Sequence, residues 1–335
     1  MEKNIGIISV TTQGDKIAEK INKYLPGEIF SKNAMENFKL RNIIPRIFKE
    51  KDIIIFISST GIAVRAIAPY LESKTSDPGV IVVDCSGKYA ISLLSGHIGG
   101  ANSMTLRLAE ILGCEAIITT ATDNLGLVAP DVLASENGLI IDDMNNAKVI
   151  AALLVEGKKI AFIDEEKKLS LPAGYVDLTN EVDGVVYVTN KKLELDFSEC
   201  EKKNKVPILK LIRRNIVLGI GCRKHYDEKM LEENILEVLS GMKLDLRAVS
   251  IVSTVEVKKN EEAIIRFSNK YNCCLKIFTL MEIKKIQHKY PGSDFVESNI
   301  GVRAVCEPCV ELAGAKLLTE KITCKGMTIC IGEIM

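Results

Sequence analysis

Residues 89–112 read YAISLLSGHIGGANSMTLRLAEIL. Six residues of strand character come first, then a run of glycine, serine and histidine. A stretch with apolar side chains three and four apart, the helical signature, closes the segment. Strand, glycine loop and helix within 24 residues form one unit of an α/β fold. Residues 52–68, DIIIFISSTGIAVRAIA, repeat the design with a Ser-Ser-Thr-Gly turn. Residues 215–239 repeat it again around Gly219-Ile220-Gly221-Cys222-Arg223-Lys224. Further strands are expected at 5–11, 80–84 and 116–119, with a helix at 16–24. The fold class is therefore α/β and multi-domain, with open, largely parallel sheets flanked by helices. Such sheets place ligands in loops at strand C-terminal ends.

A chain of 335 residues exceeds what one core usually supports, so several domains are expected. Residues 1–135 form an N-terminal α/β domain. Residues 136–205 form a smaller middle domain, with a helix near 145–155, strands near 160–163 and 185–188, and a charged linker at 190–205. Residues 206–335 form a C-terminal α/β domain, with a late helix at 309–318.

Forty-four basic residues balance forty-four acidic ones, leaving no net field to gather nucleic acid or a membrane surface. With no Trp and few aromatics, the chain lacks the stacking platforms of single-strand binders. The longest apolar run, 149–155, is far short of the roughly 20 residues that span a bilayer. The first residues read as a strand, not a signal peptide, and ten cysteines then imply reduced thiols and a cytoplasmic location. Cys306 and Cys309 form a lone C-x-x-C without a second pair at zinc spacing, so no metal site is expected. They read as small buried residues at a helix start.

Chemistry is sought first in the glycine loop, Ser95, Gly96, His97, Gly99 and Gly100, with Asn102 at the start of the helix. Glycines let backbone approach a ligand, and a helix start offers unpaired N–H groups. The plain alternative is a tight capped loop. His97, one of three histidines, can supply a neutral base near pH 7; a loop histidine is otherwise solvated surface. At the second junction Thr60 can cap the helix, Gly61 opens the turn, and Arg65 can grip a carboxylate or merely cover the helix. A third junction places Thr120, Thr122, Asp123 and Asn124 after a strand. The fourth puts Gly221, Arg223 and Lys224 on a turn. A dinucleotide fingerprint needs glycine where Lys224 stands, so paired cations for carboxylates fit better.

STGIAVRAIAP, SKTSDPGVIVVD, LLSGHIGGAN, the ATD at 121–123, GIGCRK, STVEVKKNE and IGVRAVCEPCVELAGAKLL together resemble the CbiG family of anaerobic cobalamin synthesis, in the family's order. The resemblance implies hydrolysis of cobalt-precorrin-5A to cobalt-precorrin-5B, by opening of the ring A lactone and release of a two-carbon fragment as acetaldehyde. Its substrate is a small tetrapyrrole that brings its own cobalt, so no cofactor is expected, nor a nucleic-acid or membrane partner. A homodimer, or transient contact with other enzymes of the pathway, stays open. Gly219 to Lys224 match the family's glycine-basic turn, Lys258 and Glu261 its strand-end pair, and Glu307-Pro308 its Glu-Pro before a helix. His225 and Tyr226 stand where the resemblance implies a glycine-threonine step, and Cys306 and Cys309 around Glu307 are a second departure from the family's pattern.

Lactone opening needs a base and oxyanion donors, and the macrocycle's carboxylates need cations. The expected catalytic residues are His97 as base and Asp123, orienting it or binding substrate. The expected substrate contacts are Thr60, Gly61, Arg65, Ser95, Gly96, Gly99, Gly100, Asn102, Gly221, Arg223, Lys224, Lys258 and Glu307. The competing reading is a non-catalytic corrinoid carrier with His97 as a cobalt ligand.

Overall fold

The computed structural model describes residues 3–73, 76–121, 125–179, 181–192 and 206–335, except the side chain of Phe295. It divides into two compact units. The first holds residues 1–135 with 151–158 and 172–175; the second holds 136–150, 159–171 and 176–335.

The first unit is built on a six-stranded sheet ordered β2-β1-β3-β4-β5-β6. Its strands are β1 (Ile5–Ser9), β2 (Glu28–Ser31), β3 (Ile53–Ile57), β4 (Gly79–Val83), β5 (Tyr89–Leu94) and β6 (Glu115–Ile117). β1, β3 and β4 are buried along their whole length, as unbroken apolar runs must be when helices cover both faces. Helices α1 (Thr12–Tyr24) and α4 (Ala101–Leu112) cover one face, packing Ile17, Ile21, Met104 and Leu108 on Ile7, Ile55 and Ile81. Helices α2 (Leu40–Glu50) and α3 (Thr60–Ile67) cover the other, with Ile44, Ile47, Ala63 and Ile67 on Ile54, Phe56 and Val82. Helix α5 (Pro130–Glu136) follows β6.

β1 to β4 run parallel, but β5 pairs antiparallel with β4, and β6 follows β5. The cause is the short connection between β4 and β5. A parallel crossover needs about a dozen residues, and residues 84–88 allow only a hairpin. Asp84 organises that turn by accepting from the N–H groups of Ser86, Lys88 and Tyr89 at 2.7–3.0 Å. Burial pushes its carboxyl up, but these bonds and the Ser86 hydroxyl outweigh burial and hold it below the usual carboxylate range. Reversal puts the loop after β5 at the edge where β1, β3 and β4 begin.

The second unit carries two sheets. One is ordered β7-β11-β10-β8-β9, from β7 (Leu139–Ile141), β8 (Ile160–Asp164), β9 (Tyr175–Val176), β10 (Gly184–Thr189) and β11 (Ile208–Arg213), with helix α6 (Met144–Val155) between β7 and β8 in the chain. The other is ordered β14-β13-β12-β17-β15, from β12 (Ile216–Cys222), β13 (Val249–Val255), β14 (Cys274–Phe278), β15 (Lys316–Leu317) and β17 (Met327–Glu333), while β16 (Ile322–Cys324) pairs with β17. Helices α7 (Glu228–Gly241), α8 (Glu262–Lys270), α9 (Leu280–Ile286), α10 (Asp294–Ile300) and α11 (Cys306–Leu312) complete it. The late helix thus starts at Cys306, before the expected 309, and gives way to β15 where helix was expected. A Cβ on Gly219 would overlap the Cys306 carbonyl, so glycine lets α11 lie against β12. Cys306 and Cys309 are buried at the start of α11, as expected.

Buried Lys210 on β11 meets Asp245 at 2.7 Å and ties the two sheets together. A polar cluster does the same: Asn190 donates to Glu333 at 2.6 Å, and Asn215 donates to Glu166 at 2.9 Å. Asn190 is buried, so the solvated linker expected from residue 190 does not begin there. Its later part, 193–205, lies outside the described residues.

Candidate active site

The glycine loop between β5 and α4 is held by contacts that dictate its sequence. Gly100 takes φ +81° at the N-cap of α4, a conformation that favours glycine. Buried Asn102 sits behind Gly96, and a Cβ there would lie 2.6 Å from Asn102 Oδ1. Asn102 Oδ1 accepts from the Ser92 hydroxyl at 2.6 Å, and Nδ2 donates to Thr120 Oγ1 at 3.0 Å. Asn102 therefore pins the ends of β5 and β6 to the loop, and both ends of its carboxamide are engaged within the protein. Gly99 lies against Ser95 Cβ, and its carbonyl accepts from Lys3 Nζ at 3.1 Å.

The helix start is not an open anion site. The N–H groups of Ala101 and Asn102 donate to the carbonyls of Ser95 and Gly96 at 3.2 and 2.9 Å. The loop folds its own acceptors onto the positive end of α4, which corrects the expectation of unpaired donors there. Within the loop itself, the N–H groups of Ile98 and Gly99 donate to nothing among the described residues. Ser95 adopts φ +54°, and its buried hydroxyl has no hydrogen-bond partner among the described residues. That combination of backbone strain and an unsatisfied polar group is found at sites shaped for a ligand.

His97 faces Asp131, with Nδ1 3.5 Å from Oδ1 and side chains only 14 % and 12 % exposed. Asp131 stands in the first turn of α5. Tyr175 lies near the same carboxylate: burial, and then the charge of Asp131, push its hydroxyl well above the usual tyrosine range. Sequence reasoning missed Asp131. The available signal was the Pro-Asp step of a helix start. Asp123, the expected partner of His97, lies outside the described residues together with Thr122 and Asn124.

Thr60, Gly61 and Arg65 are not brought to His97. They follow β3, at the edge opposite the glycine loop, because β5 runs against β3 and β4. Ser59, not Thr60, is the N-cap of α3, and no side chain closes the cap. Arg65 is exposed and donates to its own helix at Gly61 O, 3.3 Å away. A cavity of about 520 Å³ in this unit is lined by Phe48, Lys49, Tyr70, Leu71, Ser76 and Asp77 among others, and holds none of the expected residues.

In the second unit the parallel strands β12 and β13 bring Gly221, Arg223 and Lys224 to the same edge as Lys258. Arg223 and Lys224 are exposed, with no carboxylate partner among the described residues. Lys258 already meets Glu261 at 3.4 Å, and Glu261 Oε1 accepts from the Tyr226 N–H at 2.8 Å. His225 adopts φ +56°, which explains why a glycine was expected there. A Cβ on Gly221 would lie 2.8 Å from Thr328 Oγ1. Cys222 beside this edge is pushed up to about 11, by burial against the pull of Lys258. Glu307 is buried, and Cys306 Sγ donates to its Oε2 at 3.0 Å, so this pair is closed within the fold. Burial, then the neighbouring Glu307 charge, drive the Cys306 thiol far up.

Among the described residues no group of His, Cys, Asp and Glu could hold a metal ion, and no helix is long and apolar enough to cross a membrane.

Residues 42–123 match the family model described as cobalamin synthesis G N-terminal. Residues 128–206 match the cobalamin biosynthesis central region, and residues 216–332 the cobalamin synthesis G C-terminus. The cobalt-precorrin-5A hydrolase of Salmonella typhimurium strain LT2 is 33 % identical, over 98 % of this chain and 97 % of its own. The protein of the same name from Priestia megaterium is 28 % identical over 93 % and 90 %. A probable cobalt-precorrin-5A hydrolase of Methanocaldococcus jannaschii is 28 % identical over 98 % of each chain.

Proposed function

The chain belongs to the CbiG family, and from that premise we infer that it hydrolyses cobalt-precorrin-5A. The observation that carries the inference is the near-complete alignment with a relative bearing that name, across 98 % of the chain. The reaction opens the ring A lactone and releases acetaldehyde, leaving cobalt-precorrin-5B.

The loop beside His97 supplies the parts that lactone opening requires. His97 takes a proton from water as the water oxygen bonds to the lactone carbonyl carbon. The N–H groups of Ile98 and Gly99 receive the oxyanion. The ring C–O bond then breaks, the carboxylate stays on the macrocycle, and the alkoxide takes back the proton. In the second step the new hydroxyl loses its proton, its oxygen becomes the carbonyl of acetaldehyde, and the C–C bond breaks. The electron pair of that bond remains on the conjugated macrocycle.

Arg223 and Lys224 suit the acetate and propionate side chains, being exposed cations with no carboxylate partner among the described residues. Lys258, facing Glu261, and Glu307, closed on Cys306, fit that task less well. Cobalt arrives with the substrate, and the protein needs no metal or cofactor of its own. A cytosolic setting accords with this chemistry and with ten cysteines.

The test is an anaerobic assay with cobalt-precorrin-5A. Acetaldehyde in molar excess over protein is expected from the native chain. His97→Ala is expected to bind the pigment and turn over about 10² to 10⁴ times more slowly. Stoichiometric pigment binding with no acetaldehyde would overturn the enzyme reading in favour of a carrier.

A further inference from the structure

We propose that Glu261 is a positioning residue for substrate binding: its buried carboxylate fixes the turn 223–226, so that the exposed Arg223 and Lys224 are held at set places to meet carboxylates of the pigment. The proposal rests on the reading of Arg223 and Lys224 as contacts to the macrocycle and adds the residue that sets their geometry.

Three observations carry it. Glu261 is the N-cap residue of α8 and is buried, yet its side chain does not cap that helix. The carboxylate reaches instead across 35 residues of chain, where Oε1 accepts from the Tyr226 N–H at 2.8 Å, while Oε2 faces Lys258 Nζ at 3.4 Å. That bond closes the basic turn at its far end. At the near end the Arg223 N–H donates to Gly326 O at 3.2 Å, so Lys224 and His225 lie between two anchors. His225 holds φ +56°, a left-handed conformation that persists in a non-glycine residue only where its surroundings impose it. Tyr226 Oη donates to Lys325 O at 3.1 Å, which holds the ring; the bond to Glu261 holds the backbone that follows Lys224.

The arrangement suits the task. Arg223 and Lys224 are adjacent exposed cations, and a carboxylate paired with either would occupy a group needed for the pigment. Glu261 takes a backbone N–H of the turn and Lys258, and leaves both side chains open. A turn released from this anchor spreads over several arrangements, and affinity falls with the fraction in which the cations are placed to bind. Serine separates this role from plain helix capping. It is a favoured N-cap residue and keeps the start of α8, but it is too short to reach Tyr226. A merely structural Glu261 would be replaced by serine without loss of binding.

The experiment is an anaerobic titration of the full-length protein with cobalt-precorrin-5B, which keeps the peripheral carboxylates and is not turned over. Glu261→Ser is expected to raise Kd about tenfold or more. Glu261→Gln, whose amide oxygen can accept from the Tyr226 N–H, is expected to recover about fivefold or more of that loss. In an Arg223→Ala/Lys224→Ala background Glu261→Ser is expected to cost less than about a further twofold, because the groups it positions are gone. Amide exchange of the ligand-free protein is the second readout: the Tyr226 N–H is expected to be protected in the native chain and about tenfold faster in Glu261→Ser. If serine prevents folding, Glu261→Asp, which also favours an N-cap and is one methylene shorter than glutamate, takes its place in each comparison. A Kd within about threefold of native, an undiminished effect in the alanine background, or a Tyr226 N–H unprotected in the native chain overturns the proposal. Neither readout depends on acetaldehyde. A protein that binds the pigment without turning it over would defeat the proposed function and leave Glu261 to be decided by these two measurements.

Discussion

Gly96→Ala probes the core of the glycine loop. The new methyl would sit 2.6 Å from Asn102 Oδ1 and 2.9 Å from both Cγ and Nδ2, well inside contact distance. The backbone at Gly96 is not left-handed, so the added strain comes from contact and not from the backbone conformation. The Asn102 carboxamide must therefore move, breaking its bonds to Ser92 and Thr120. Two largely buried hydrogen bonds at about 1 kcal/mol each, plus groups left unsatisfied, give about 2 to 4 kcal/mol. Asn102→Ala removes the same two bonds and should cost a similar amount. The double variant separates the two effects. Once Asn102 is alanine, the three atoms nearest the Gly96 methyl are gone, and its further cost should drop below about 1 kcal/mol, a coupling of about 2 kcal/mol. Hydrogen exchange read on peptides covering 89–112 measures local opening without assuming that the whole chain unfolds at once. Additive costs in the double variant would show that Gly96 is required by its backbone and not by Asn102, and the account of the loop would be wrong.

Gly219→Ala should prevent α11 from seating on β12, since the methyl would overlap backbone that cannot rotate away; a loss above about 3 kcal/mol in urea unfolding is expected, and a near-native midpoint would contradict it. Arg223→Ala should weaken pigment binding by about 1.5 to 3 kcal/mol in anaerobic titration, whereas Arg65→Ala, at the far edge from His97, should leave it unchanged; the reverse pattern would move the site to α3. Burial raises the Asp245 carboxyl, but hydrogen bonds from Arg247 and Lys210 outweigh burial and bring it to about 2. Its folded value lies below the unfolded one near 4, so its stabilisation of about 2 kcal/mol is present above pH 4 and lost as pH falls toward 2. Urea midpoints of the native chain at pH 6, 4 and 3 should show that decline, and Asp245→Asn should show less of it.

Much of the fold is legible in the sequence because strands and helices announce themselves by period. Apolar spacing alone gives Ala101–Leu112 with the bounds the structure shows. Helix α2 escapes that reading, because Pro45 within it breaks the expected pattern. The reversal of β5 is available in principle: five residues between two strands permit a hairpin and little else. Treating every strand-to-helix junction as equivalent hides it, and groups Arg65 with His97. The glycine loop is recognisable from composition. Its conversion of helix-start N–H groups into internal bonds is not, since that depends on where the carbonyls of Ser95 and Gly96 turn. Asp131 is beyond reach because it meets His97 across 34 residues of chain, and no local pattern encodes that distance.

The reversed strand also decides the electrostatics of the first unit. α1 leaves the C-terminal end of β1, while α4 leaves that of β5, so the two helices that share one face of the sheet run in opposite directions. Their macrodipoles oppose, and the positive end of α4 at the loop lies at the same edge as the negative end of α1. Lys23, in the last turn of α1, compensates that negative end. On that face of the sheet the poles of α1 and α4 at the edge carrying His97 therefore offset one another. A polyanionic macrocycle approaching it gains little long-range guidance from these two helix ends. Selection at that edge then falls to short-range fit, decided only once the pigment has arrived.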